Sequence, residues 1–102
     1  MKNINQRDAV QAIAYGLPFQ ASALSGFVGT SPVLTTGRLD PEEVSAYYIA
    51  EREGITYAVY SYGTPIAWRT LSGWYFVGQK FSRTTSAHQN IVRRGASEMI
   101  SA

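Results

Sequence analysis

From Ile55 to Gly78 the chain reads as three strand-like segments, at about 55–62, 65–71 and 74–78, divided by two turn-forming pairs, Gly63-Thr64 and Ser72-Gly73. Two-residue hairpin loops at those pairs set a register in which Val59 lies opposite Trp68 and Trp68 opposite Val77. One face then presents Tyr57, Val59, Ile66, Trp68, Tyr75 and Val77. The other presents Tyr60, Tyr62, Ala67, Arg69, Trp74 and Phe76. Both faces are rich in aromatic and aliphatic side chains, which a small sheet open to water on one side does not tolerate. Either helices cover both faces, or one face meets a partner. Pro65 fits at the start of its strand, where a missing N–H donor costs least.

Three helices are available to cover this meander. The first spans about 6–15, with Asn5 as N-cap, Asp8 in the first turn and Gly16 at the end; Ala9, Val10, Ile13 and Ala14 form a narrow apolar face. The second spans about 41–53. Asp40 caps it, Pro41 takes the first helical position, Glu43 completes a capping-box-like pattern and Gly54 closes it. Val44, Tyr47, Tyr48 and Glu51 share one side, which turns the two tyrosines toward the core. The third spans about 86–94, capped by Thr85 or Ser86 and interrupted at Gly95, with Ala87, Ile91 and Val92 inward and His88 on the surface. Phe19 to Leu24 is compatible with a short extra strand. Residues 25–37, rich in Gly, Ser and Thr, read as a loop with a short β segment around Val33-Leu34. The expected fold is therefore one α+β domain over residues 1–102: a three-stranded antiparallel meander packed with three helices.

A chain of 102 residues can bury one core without staples. It contains no cysteine, so disulfide and thiolate chemistry are excluded, and a single histidine, His88, argues against a metal site. No apolar run is long enough to span a membrane, and MKNINQRDAV lacks a signal-peptide core, so a cytoplasmic protein is expected.

Charge is unevenly placed along the chain. Up to Trp68, Lys2, Arg7, Arg38 and Arg52 are outnumbered by Asp8, Asp40, Glu42, Glu43, Glu51 and Glu53, a net of −2. Beyond it, Arg69, Lys80, Arg83, Arg93 and Arg94 face only Glu98, a net of +4. That asymmetry suits a polyanionic partner for the C-terminal third, or else marks a solvated basic surface.

Catalytic signatures are weak. His88 has Thr84, Thr85 and Ser86 nearby but no acidic residue to orient it, and the hydroxyls are better explained as helix caps. Glu42 and Glu43 suit the first turn of a helix, where negative charge is locally favourable. Ser25-Gly26-Phe27-Val28-Gly29-Thr30 lacks the Lys-Ser/Thr ending of a phosphate-binding loop. A non-enzymatic binding protein without cofactor is the better expectation.

The leading candidate site is the last helix with its approach: Arg69, Lys80, Arg83, His88, Gln89, Asn90, Arg93 and Arg94 are residue types that contact phosphates and base edges. Trp74, Phe76, Tyr60 and Arg69 offer a stacking platform of the kind used on single strands, unless a helix covers them. The competing class is a protein partner, or a second copy of the chain, docked on Tyr60, Tyr62, Trp74 and Phe76.

The segment from Tyr57 to Arg94 reads YAVYSYGTPIAW…GWYF…KFSRTTSAHQNIVRR. It resembles a block found in small uncharacterised proteins of actinobacteria, their plasmids and their phages, in which a VYSYGTPIAW hairpin precedes a TTSxHQxxVRR helix. The likeness covers a little over a third of the chain. It implies an accessory protein of a phage or mobile element, working in the host cytoplasm, and supplies no activity.

Overall fold

A computed structural model describes residues 3–32 and 36–98. The order of elements is α1 (Gln6–Ala14), β1 (Phe19–Ala21), β2 (Leu24–Val28), α2 (Pro41–Glu53), β3 (Tyr57–Ser61), β4 (Thr64–Thr70), β5 (Gly73–Phe76) and α3 (Arg83–Glu98). The five strands form one antiparallel meander in sequence order. The fold is α+β as expected, but the sheet has five strands rather than three with a possible short extra one near 19–24.

The two additional strands come from a hairpin. Phe19 to Leu24 is not one strand: the chain turns at Ser22-Ala23, and Leu24–Val28 returns to pair with both β1 and β3. Glycine and serine content made Ser25 to Val28 look like loop. Gly26 sits there because a Cβ would strike the Phe19 ring. The β segment expected around Val33-Leu34 lies outside the described residues, as does the tail beyond Glu98.

Both hairpin loops of the meander sit one residue earlier than expected. Tyr62-Gly63 joins Ser61 to Thr64, with φ of 51° and 78°, the pair of left-handed conformations that a type I′ turn demands. Leu71-Ser72 joins Thr70 to Gly73. A bulge follows the first turn: Tyr60 pairs with Pro65 and Val59 with Ala67, leaving Ile66 as the additional residue. Trp68 consequently lies opposite Ala58 and Tyr75, not Val59 and Val77.

This register divides the side chains differently from simple counting. Tyr57, Val59, Ile66 and Ala67 pack with Ala9, Ala12, Ile13 and Val92, beneath α1 and α3, with Trp74 and Phe76 at the margin. Ala58, Tyr60, Trp68 and Val77 pack with Tyr47 and Ala50, beneath α2. Helices thus cover both faces, and the two-sided apolar pattern is satisfied within the chain.

The helices start and stop largely as their caps dictate. Asn5 accepts from the Asp8 N–H at 3.0 Å, and α2 runs from Pro41 to Glu53 as expected. The Asp40 side chain, however, makes no capping bond, and Glu43 accepts from the Tyr75 hydroxyl instead. Of the two tyrosines only Tyr47 turns to the core, Tyr48 being exposed. The third helix is longer than expected. Ser82 rather than Thr85 or Ser86 caps it, its Oγ accepting from the Thr85 N–H at 3.3 Å, and Gly95 lies inside the helix instead of ending it. The inward set of α3 is Thr85, His88, Val92 and Gly95, while Ala87 is exposed.

Candidate nucleic-acid interface

With Thr85, His88, Val92 and Gly95 facing inward, the helical period turns Arg83, Asn90, Arg93 and Arg94 outward, and all four are exposed. Glu98 is the one carboxylate in α3. Sixteen residues give the helix a length of about 24 Å, and Arg83 and Arg94, eleven positions apart, lie nearly in line along it.

The segment from Val77 to Ser82 leaves β5 and runs beside α3. Two glutamines hold it. The Gln89 amide donates to the Val77 carbonyl at 3.0 Å and to the Gln79 carbonyl at 3.3 Å. Gln79 in turn donates to the Arg38 carbonyl at 2.9 Å and accepts from the Asp40 N–H at 2.7 Å. Lys80 is thereby fixed at the rim of a groove shared with Asn90 and Arg93. Gln89 is spent on this tie rather than held out to a ligand, and a glutamine bonding ten residues back has no local sequence signature.

Three of the predicted positions fall elsewhere. His88 is buried, 1 % exposed, correcting its expected place on the surface. Tyr60 is buried beneath α2, where its hydroxyl bonds that of Tyr47 at 2.7 Å and accepts from the Ser31 N–H at 2.9 Å. Arg69 is half-buried and borders a hollow with Thr56, Leu71 and Gly73, apart from the α3 groove. The aromatic face expected for a partner is therefore split. Tyr60 lies on the α2 side, Tyr62 at an exposed turn, and Trp74 and Phe76 lie half-buried on the α3 side. Trp74 and Phe76 stack nearly parallel, centroids 5.8 Å apart, and the Arg93 guanidinium covers the Phe76 ring at 4.9 Å.

Ser61 and His88 form a close pair, Oγ to Nδ1 at 2.7 Å, that invites comparison with a nucleophile and its base. The proton runs the other way. The Gln6 amide nitrogen lies 3.1 Å from Nε2, so that nitrogen accepts and Nδ1 carries the hydrogen donated to Ser61. The Ser61 hydroxyl also shares a hydrogen bond with the Thr85 hydroxyl at 3.1 Å. Burial holds the imidazole below its usual 6.5, in the neutral form that this chain of bonds requires. Among the described residues, no three His, Asp or Glu side chains gather in a way that would hold a metal ion, and no helix is long and apolar enough to cross a membrane.

Residues 34–100 match the model of a family of unknown function, DUF8033. The chain belongs to DUF8033. No curated protein and no solved structure matches it. The span covered by DUF8033 includes α2, β3 to β5 and α3, and with them Arg38, Tyr62, Gln79, Lys80 and every cation of the α3 face. The β1–β2 hairpin and α1, which supplies Gln6 to His88, fall before it.

Proposed function

We propose that the protein binds nucleic acid through the outer face of α3 and the Lys80 segment beside it. The observation that carries the reading is the convergence of Lys80, Asn90 and Arg93 on one groove, flanked by Arg83 and Arg94 on the same exposed helix. Guanidinium groups recognise phosphate by paired N–H bonds and stay charged at any working pH. Asn90 is the residue type that reads a base edge from such a position. The setting is that implied by the family resemblance, an accessory protein of a phage or mobile element in the host cytoplasm.

Fluorescence anisotropy with labelled 20-mer oligonucleotides, single-stranded and duplex, tests this. Binding is expected at 50 mM salt, weakening roughly 100-fold by 200 mM if about four phosphates are neutralised. Arg93→Glu with Arg94→Glu should abolish it. Absence of binding at 50 mM salt, or binding indifferent to the double reversal, overturns the proposal.

A further inference from the structure

A second cleft, of about 450 Å³, opens between the β3–β4 turn, the Gln79–Ser82 segment and residue Arg38. Its charged lining is wholly cationic, Arg38 and Lys80, and both residues are exposed. Ser82 adds a hydroxyl at the same wall. Gln79 and Lys80 also line the groove against α3, so the two depressions adjoin each other.

Tyr62 stands at the mouth of this cleft and is 65 % exposed. The inner side of its ring leans on the buried His88 imidazole, centroids 6.1 Å apart and planes 30° from parallel. The greater part of the residue stays open to solvent. The backbone there has φ of 51°, a conformation that turns of this kind normally give to Asn or Gly and that disfavours a bulky side chain. A strained aromatic on a cleft rim is an expensive choice unless the ring itself is used. The other exposed aromatic rings among the described residues have different company. The Tyr75 hydroxyl donates to Glu43, Tyr15 shares a hollow with Asp8, and Tyr48 stands one turn from both Glu51 and Arg52.

We infer that this cleft is a nucleotide subsite for single-stranded nucleic acid: a base stacks on the free face of Tyr62 while Arg38 and Lys80 hold the adjoining phosphates. The strand then continues past Lys80 onto Asn90 and Arg93. Phe76 cannot serve as the platform in its place, because Arg93 already covers its ring. The inference rests on the α3 reading above and adds a preference for unpaired strands, since a paired base keeps both faces stacked within its duplex.

The experiment compares a labelled oligothymidylate with a duplex of equal length. Tyr62→Gly should weaken binding of the single strand 5- to 50-fold, leave duplex binding within two-fold, and raise the melting temperature because glycine relieves the turn. Tyr62→Phe should bind as the unaltered protein does. Arg38→Ala, at an exposed position, should weaken single-strand binding several-fold while the fold is kept. Unchanged oligothymidylate binding by Tyr62→Gly or by Arg38→Ala overturns the subsite, and the α3 reading survives if the Arg93 and Arg94 reversals still abolish binding. A melting temperature that falls in Tyr62→Gly makes the ring a packing element and overturns it too. Absence of all binding by the unaltered protein overturns both readings together.

Discussion

Ser61 and His88 lie 27 positions apart in sequence and meet at 2.7 Å between the sheet and α3. Their contact joins the meander to the last helix at the point where the helix begins its buried run, and Gln6 brings α1 to the same imidazole from the other side. Three elements are therefore locked by one neutral ring. The residue that looked most like a catalyst in the sequence is a fastening of the fold, and that assignment has measurable consequences.

Acidification should loosen the protein through this ring. His88 is 1 % exposed and burial holds its folded pKa below 6.5. Beneath pH 6.5 the unfolded chain takes up a proton that the folded chain refuses, so stability is complete above 6.5 and falls as pH drops toward the folded value. The slope is at most about 1.4 kcal/mol per pH unit. Melting temperatures at pH 7.5, 6.5 and 5.5 should show the decline in the unaltered protein and a flatter profile in His88→Gln, itself less stable.

Ser61→Ala should cost about 1–3 kcal/mol, because the Nδ1 hydrogen of His88 is left buried without its acceptor. Urea unfolding measures the loss. A serine acting only as a small core filler would predict near-neutral replacement by alanine.

What was legible in the sequence divides by the range of the interaction responsible. The bounds of α2 follow from Pro41 and Gly54, both local signals, and they hold to the residue although the Asp40 side chain makes no capping bond. The inward side of α3 was read in part: Val92 and Ile91 pack on the core as expected, Ala87 does not, and Thr85 and His88 were missed because they are polar. They are buried by partners at Ser61 and Gln6, far away in sequence, which no helical period announces. The faces of the sheet were exchanged for β3 by a single additional residue, Ile66, since side chains alternate and one insertion inverts all that follows. At the candidate site, Lys80, Asn90 and Arg93 were recognisable by type and are brought together. Arg38 was hidden by its distance in the chain. Tyr62 was noticed as an aromatic but assigned to a sheet face, when the positive φ that gives it its place belongs to the turn.

Gly95 tests the packing of α1 on α3. A Cβ there would meet the Ile13 Cβ and Cγ2 at 2.7 Å and the Val10 carbonyl oxygen at 3.0 Å, and a backbone oxygen cannot rotate away. Alanine ordinarily gains about 1 kcal/mol over glycine inside a helix. Overpacking of this kind costs about 1–3 kcal/mol and should prevail. Gly95→Ala should accordingly lower the melting temperature by several degrees. Gly78→Ala, where an added Cβ meets nothing within 4 Å, should be neutral or mildly stabilising.

Arg93 and Arg94 are adjacent, both exposed and both proposed to meet phosphate, yet they should behave differently when replaced singly. Arg94→Ala should leave stability within about 0.5 kcal/mol and reduce the salt slope of nucleic-acid binding by about one. Arg93→Ala should reduce the slope equally and also cost about 0.5–1 kcal/mol of stability, because its guanidinium lies 4.9 Å from the centre of the Phe76 ring. A double-mutant cycle with Phe76→Leu isolates that contribution: in the leucine background the stability cost of Arg93→Ala should vanish while the change in salt slope persists. Loss of both together would mean that Arg93 reaches nucleic acid only when Phe76 holds it in place, and persistence of both would separate the guanidinium from the ring altogether.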